Sequence, residues 1–417
     1  MNSIPGIISS ELCKGFKVFS SNKKRIQENE NKEKREFLEE RNINDMINEI
    51  KLETGWKDVE VYEDAPLHLS LLSQGYFNGT TKQYDTNYYY PKSAGKDIDI
   101  YIIDTSFDFR TSEYSNRNER VTKCLGYILN GNLEKPQSED YCENTMDHGK
   151  IVSMSAGGVK NGAARKANIY GIAFVLDAED GYDISDQNYL LSLDYILNNI
   201  PMRPHKTVIN LSVGTLNSFK GSMFLNYITK IFNKFEEKGV IIVTAAGNFN
   251  TTISNEIHDE IFIPCALDNV ICVGAIDNAG YNNPKAIYDK TSNRMQPVNY
   301  IKADFSNYGR EMDIYAPSYV IFNSESIDGK WEENELYMDR GTSYSSPIVA
   351  GVVATILSDH PEISFNTHSM ITYLTEHGQK GIIDDIPEGP NVFINNGKQS
   401  VYLKNRDEAD STPFENN

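Results

Sequence analysis

Apolar residues in this chain gather into short runs separated by longer polar stretches. Five runs read as buried strands: Ile98–Asp104, Asn168–Phe174, Thr207–Val213, Val240–Ala246 and Val270–Ala275. Between them the spacing changes to that of helices. Leu190, Leu193 and Leu197 share one face of a segment that Ser185 could cap. Phe224, Ile228, Phe232 and Phe235 share a face of another, which stops at Gly239. A further apolar stretch, Ile348 to Ala354, predicts a buried helix. Strands alternating with helices predict an α/β fold in three layers, a mostly parallel sheet flanked by helices on both faces.

The pattern weakens at both ends. Residues 21 to 52 are dense in Lys, Glu, Asn and Arg, with Phe37-Leu38 and Met46-Ile47 as the few apolar points. Residues 1–62 read as a charged N-terminal extension, residues 63–398 as the main domain and residues 399–417 as an acidic polar tail. The 417 residues carry a formal charge of −19, which argues against nucleic acid and anionic membrane as partners. No apolar run approaches the roughly 18 residues of a transmembrane helix.

Four places carry candidate chemistry. Gly341-Thr342-Ser343-Tyr344-Ser345-Ser346-Pro347 runs straight into the apolar helix. A serine at a helix N-terminus sits among outward-pointing N–H groups that can receive an oxyanion. Pro347 falls near the helix start, where its missing N–H costs least. A serine nucleophile needs a base and an acid that orients it. His148 opens a small-residue stretch, and Asp104 ends an apolar strand, where open α/β sheets place ligands. Asn248 ends another strand after Ala245-Ala246-Gly247, and its amide could donate to an oxyanion. Alone, each is an ordinary cap, turn or surface residue. The order Asp, His, Asn, Ser at strand and helix ends is not.

These segments resemble the subtilase family, the subtilisin-like serine peptidases. The similar stretches are Ile102-Ile103-Asp104-Thr105, His148-Gly149, Gly162 to Tyr170, Ile209 to Gly214, Ala245 to Asn248 and Gly341 to Gly351. Tyr88 to Gly95 and Phe305 to Gly309 resemble the fungal proteinase K branch. The resemblance implies a subtilisin-like fold and a serine endopeptidase with Asp104, His148 and Ser343 as catalytic triad and Asn248 in the oxyanion hole. It implies that Ser212, Val213 and Gly214 pair with the substrate backbone. Ala245, Ala246 and Gly247 would then border a side-chain pocket, and their lack of bulk suggests broad specificity favouring large apolar or aromatic groups.

No cofactor is required. A structural calcium on Asp313 and the carbonyls of Asn269 and Ile271 is implied by the same likeness. So are polypeptide substrates, an inhibitory propeptide surviving in residues 1–62, and an extracellular or vacuolar location. The chain is expected to act as a monomer. Residues 1–62 read equally as a plain solvated extension. The first residues show no basic stretch followed by an apolar one, so a secretory signal is not expected, and an intracellular protein stays open.

Three positions depart from the family pattern: Ser106 where glycine is usual, Asp147 before the histidine, and Lys150-Ile151 after His148-Gly149. They leave open a weak or inactive relative that binds peptides or proteins without cutting them. An unrelated esterase-like hydrolase is disfavoured, because Ser343 lacks the second glycine of a nucleophile elbow.

Five cysteines leave at least one unpaired within the chain: Cys13, Cys124, Cys142, Cys265 and Cys272. Cys124 and Cys142 form a plausible pair, while Cys265 and Cys272 read as reduced core thiols. Asn78-Gly79-Thr80 and Asn250-Thr251-Thr252 fit a glycosylation sequon; Asn210-Leu211-Ser212 also fits but lies on a core strand.

Overall fold

The computed structural model describes residues 16–18, 24–26 and 40–402, apart from 76–85, 130–131, 137, 143–145, 175–182, 185, 221, 280–287, 290–293, 296–299 and 324–335. Cys13, Ser185, the Asn78 sequon and the tail beyond residue 402 lie outside the described residues.

Among them, ten strands form one sheet, in the spatial order Gln379–Lys380, Val392–Phe393, Ile314–Pro317, Ile271–Ile276, Val240–Ala245, Thr207–Leu211, Asp99–Asp104, Asn168–Phe174, Thr122–Leu129 and Asn132–Glu134. All neighbours are parallel except the pairs at the two edges. The expected runs all appear, within two residues of their expected ends. The run expected to reach Val213 breaks at Ser212 and resumes as Val213–Asn217 in a second sheet.

Burial follows the alternation of a strand covered on both faces. Ile100 and Ile102 point into one core; Tyr101 and Ile103 point into the other. The first core holds the helices His148–Gly157 and Thr342–Asp359. The second holds Leu190, Leu193 and Leu197 of the helix Asp186–Asn199, and Phe224, Ile228, Phe232 and Phe235 of Met223–Glu237. This is the three-layer arrangement.

The connections explain where a site can form. From Asp99–Asp104 the chain goes first to Thr122–Leu129, two places away, then returns to Asn168–Phe174 beside it. It next crosses to Thr207–Leu211 on the opposite side. Chain direction across the sheet reverses at the strand ending in Asp104, and such a switch point opens a crevice at strand C-termini.

The boundary expected at residue 62 is not a structural one. Val59–Tyr62 pairs antiparallel with Tyr88–Pro91. Ile50, Trp56 and Val59 bury against Tyr89, with Tyr402 packed on the same cluster. Lys166 Nζ donates to Glu60 Oε1 at 2.9 Å. Residues 399 and 400, assigned to the tail, donate to Glu53. The apolar side chains scattered in a charged segment are the ones that dock.

Cys124 and Cys142 are bonded, as expected. Cys265 and Cys272 are also bonded, not reduced; their Cα atoms lie 4.9 Å apart, within disulfide range. Asn210 is fully buried and unavailable for glycosylation. Asn250 is exposed, its side-chain oxygen accepting from Lys302 Nζ at 2.9 Å.

Trp56→Ala should cost about 3 kcal/mol of docking. Limited proteolysis would then cut within residues 44–62 before the main domain; equal resistance to wild type would show that the docking contributes little.

Candidate active site

Asp104 lies at the sheet's switch point, fully buried. Its Oδ1 accepts from His148 Nδ1 at 2.7 Å and from the Thr105 N–H at 2.7 Å. His148 begins its helix and is 2% exposed. A bond at Nδ1 fixes the ring so that Nε2 is the nitrogen available for proton transfer. The approach of the helix to the strand is too close for a side chain at Gly149. A Cβ there would come within 2.4 Å of the Ser106 carbonyl oxygen and 3.0 Å of Asp104 Cβ.

The departures around the pair have partners. Lys150 Nζ is bound to Asp147 Oδ1 at 3.1 Å, so the two unusual charges flanking His148 neutralise one another. Ser106 does not adopt a positive φ, and its hydroxyl donates to the Met146 carbonyl. Thr105 Oγ1 accepts from the Gly149 N–H at 3.2 Å. The strand end thus holds the loop before His148 on both sides.

Ser343 is the second residue of Thr342–Asp359 and is buried. The His148 ring lies 5.6 Å from that of Tyr344, the residue after Ser343, centroid to centroid, so the two helices pack with these starts side by side. Their crossing is close at Gly351, where a Cβ would sit 2.6 Å from the Ala156 carbonyl oxygen. Pro347 is deeper in the helix than the sequence suggested, and its missing N–H leaves the Ser343 carbonyl without a helical donor. Ser212 Oγ supplies one at 2.8 Å. Ser343 Oγ in turn donates to the Ser212 carbonyl at 3.3 Å. Asn210 Nδ2 donates to Ser212 Oγ at 3.0 Å, and Ser346 Oγ donates to Asn210 Oδ1 at 2.5 Å.

Asn248 follows Val240–Ala245 by three residues and is partly exposed. Its Oδ1 accepts from the Thr342 N–H at 3.0 Å and Thr342 Oγ1 at 2.8 Å. With Oδ1 so occupied, Nδ2 faces away from Thr342. Thr342 Oγ1 also accepts from the Gly247 N–H at 3.1 Å. Thr342, Asn210 and Ser346 were not singled out from sequence, although each lies within a recognised motif.

Val213 and Gly214 lie on Val213–Asn217, whose edge pairs antiparallel with Phe16–Val18 of the extension: Lys17 opposite Gly214 and Val18 opposite Val213. The same segment pairs on its other side with Asp183–Ile184. Lys24–Ile26 pairs with Leu336–Arg340, which leads directly into the serine turn. The ring of Phe262 lies against both Gly214 and Gly247, where an added Cβ would come within 2.8 Å of it.

Asp313 is mostly buried and is held by its own N–H to the Cys272 carbonyl and by the Cys272 N–H to its Oδ2, at 3.1 and 2.7 Å. Burial pushes its carboxyl up to about 7, against which the Cys272 bond works only partly. Ile271 opens the adjacent strand, and Asn269 lies two residues before it. No cluster of three His, Cys, Asp or Glu suited to a metal occurs among the described residues.

Residues 95–390 match the subtilase family, Peptidase_S8, and the chain belongs to that family of serine endopeptidases. Within it the chain is proteinase K-like. Proteinase T of Parengyodontium album is 26% identical over 342 residues, covering 81% of this chain and 95% of that protein. Subtilisin-like protease 2 of Arthroderma otae is 28% identical over 320 residues, covering 75% of this chain but only 62% of that protein. A cold adapted subtilisin-like serine proteinase of known structure shares the fold. Its TM-score is 0.58 at 20% identity, over 80% of this chain and 99% of that one.

Thr342→Val keeps the shape but removes one donor to Asn248 and the acceptor for Gly247. Hydrolysis should fall about 10-fold in kcat, with KM unchanged, if Thr342 acts only by orienting Asn248. A rise in KM alone would show that it serves substrate binding.

Proposed function

We propose that this chain cuts polypeptides through an acyl-enzyme on Ser343. The observation that carries the reading is the buried 2.7 Å bond between Asp104 and His148 beside the serine turn. Ser343 Oγ turns from the Ser212 carbonyl to His148 Nε2, loses its proton to it and attacks the substrate carbonyl. His148 then passes the proton to the leaving amine, while Asp104 stabilises its charged form. Asn248 Nδ2 and the Ser343 N–H bind the oxyanion. Water repeats the sequence to release the acid. The paired charges of Asp147 and Lys150 and the bonded Ser106 support an active enzyme over a peptide-binding relative. Two disulfides support an extracellular or vacuolar setting. Among the described residues no helix is long and apolar enough to cross a membrane.

The extension is its own inhibitor in this reading. Phe16–Val18 adds as a strand to Val213 and Gly214, the edge assigned to substrate. A chain beginning at Glu40 keeps the helix Glu40–Thr54, docked through Ile50, and loses that strand. A fluorophosphonate should label Ser343 in it at least 10-fold faster than in the full chain, and His148→Ala should abolish labelling. No label on the folded shorter chain would overturn the peptidase reading; equal rates would overturn the inhibitor.

We further propose a calcium ion on Asp313 and the carbonyls of Asn269 and Ile271. A carboxylate whose charged form is disfavoured by burial lacks a counter-charge, and calcium takes oxygen ligands of these kinds. Because its folded value lies above the ordinary 3.8, its contribution to stability is full below about pH 4 and is lost as pH rises through about 7. Calcium-free protein should therefore melt at falling temperature from pH 5 to 8, and calcium should restore it. Asp313→Asn should flatten the profile and remove the response; an unchanged response would place the ion elsewhere.

A further inference from the structure

A substrate held on the Val213–Gly214 edge, with its carbonyl between Ser343 Oγ and Asn248, has little choice of where to put the side chain on the acyl side. Ser212 and Gly214 flank it on one side and Gly247, next to Asn248, on the other. Both glycines have no side chain, yet the space between them is taken. A Cβ at Gly214 would come within 2.8 Å of Phe262 Cε1 and Cζ. One at Gly247 would come within 2.7 Å of Cζ and 3.0 Å of Cε1. The outer edge of a single ring therefore touches both walls.

The ring is firmly placed. Phe262 lies on Glu260–Ile263, opposite Leu216 in an antiparallel pair with the substrate-edge strand itself. Its N–H donates to the Ile253 carbonyl at 2.7 Å. The ring is fully buried and meets Phe249 edge to face, with centroids 6.1 Å apart. Asn307 Nδ2, 2.6 Å from a Cβ at Gly247, donates to the Ala246 carbonyl at 2.8 Å and closes the space beside it. Backbone movement to clear the space would break the strand pairing.

We infer that Phe262 fills the floor of the acyl-side pocket and makes this chain selective for substrates with Gly, Ala or Ser at the residue whose carbonyl is attacked. This rests on the proposed role of Ser343 and replaces the preference for large apolar groups expected from Ala245-Ala246-Gly247. Those residues do lack bulk; the volume they leave is used by a residue of a different strand.

Two measurements test it on the chain beginning at Glu40, in which Phe16–Val18 does not cover the Val213–Gly214 edge. In the first, matched peptides with Ala or Phe at that residue are compared by kcat/KM. Wild type should favour Ala by at least 10-fold. Phe262→Ala should shift the ratio toward Phe by about 10- to 100-fold, and Phe262→Leu, the safer substitution in a core, should shift it part of the way. In the second, product peptides ending in Ala or Phe are titrated against Ser343→Ala. The Ala peptide should bind more tightly, and this readout needs no catalysis. Equal use or binding of the two by wild type would overturn the inference while leaving the peptidase reading intact. Neither hydrolysis nor peptide binding would overturn the peptidase reading, and the inference with it.

Discussion

The serine turn depends on a hydrogen bond that its own helix cannot make. Pro347 has no N–H to offer the Ser343 carbonyl, and the site is too buried for water to substitute freely. Ser212 makes the bond from the break between two neighbouring strands. It can do so because Asn210 and Ser346 hold it from below. Ser343 is thereby tied to the start of Val213–Asn217, the edge proposed for substrate. A helical serine with a normal carbonyl bond would have no such link, and its position relative to Val213 and Gly214 would be set only by packing.

A second chain of contacts sets His148. The strand ending in Asp104 lies where sheet connectivity reverses, and Gly149 lets the histidine helix come within contact of it. The two chains meet through the crossing at Gly351. Three glycine-or-proline features therefore decide the geometry, while the charged residues supply the chemistry.

Much of this was legible in the sequence. Asp104, His148, Asn248 and Ser343 could be found because each closes or opens an element with a strong apolar period. The helix faces were readable for the same reason. What was not legible arises from contacts between distant strands. Phe262 lies in a short strand without a distinctive period, and nothing local shows that its ring reaches Gly214 and Gly247. The strand Thr122–Leu129 was missed because polar and small residues interrupt its apolar positions. The disulfide between Cys265 and Cys272 joins residues that are close in sequence, but only the fold brings their Cα atoms to 4.9 Å. The docked part of the extension was hidden by its charge, since three buried side chains are a small signal in a solvated segment.

The extension is covalently continuous with the domain it covers, and its docked helix stays attached through Trp56 and Val59. Under the proposed inhibition, a strand tethered in this way competes with substrate at an effective concentration set by the linker rather than by how much protein is present. Dilution, which separates a free inhibitor from its enzyme, leaves such a strand in place. An uncut molecule would be as quiet alone as in a crowd, and its release would be an event within each chain rather than an equilibrium between chains.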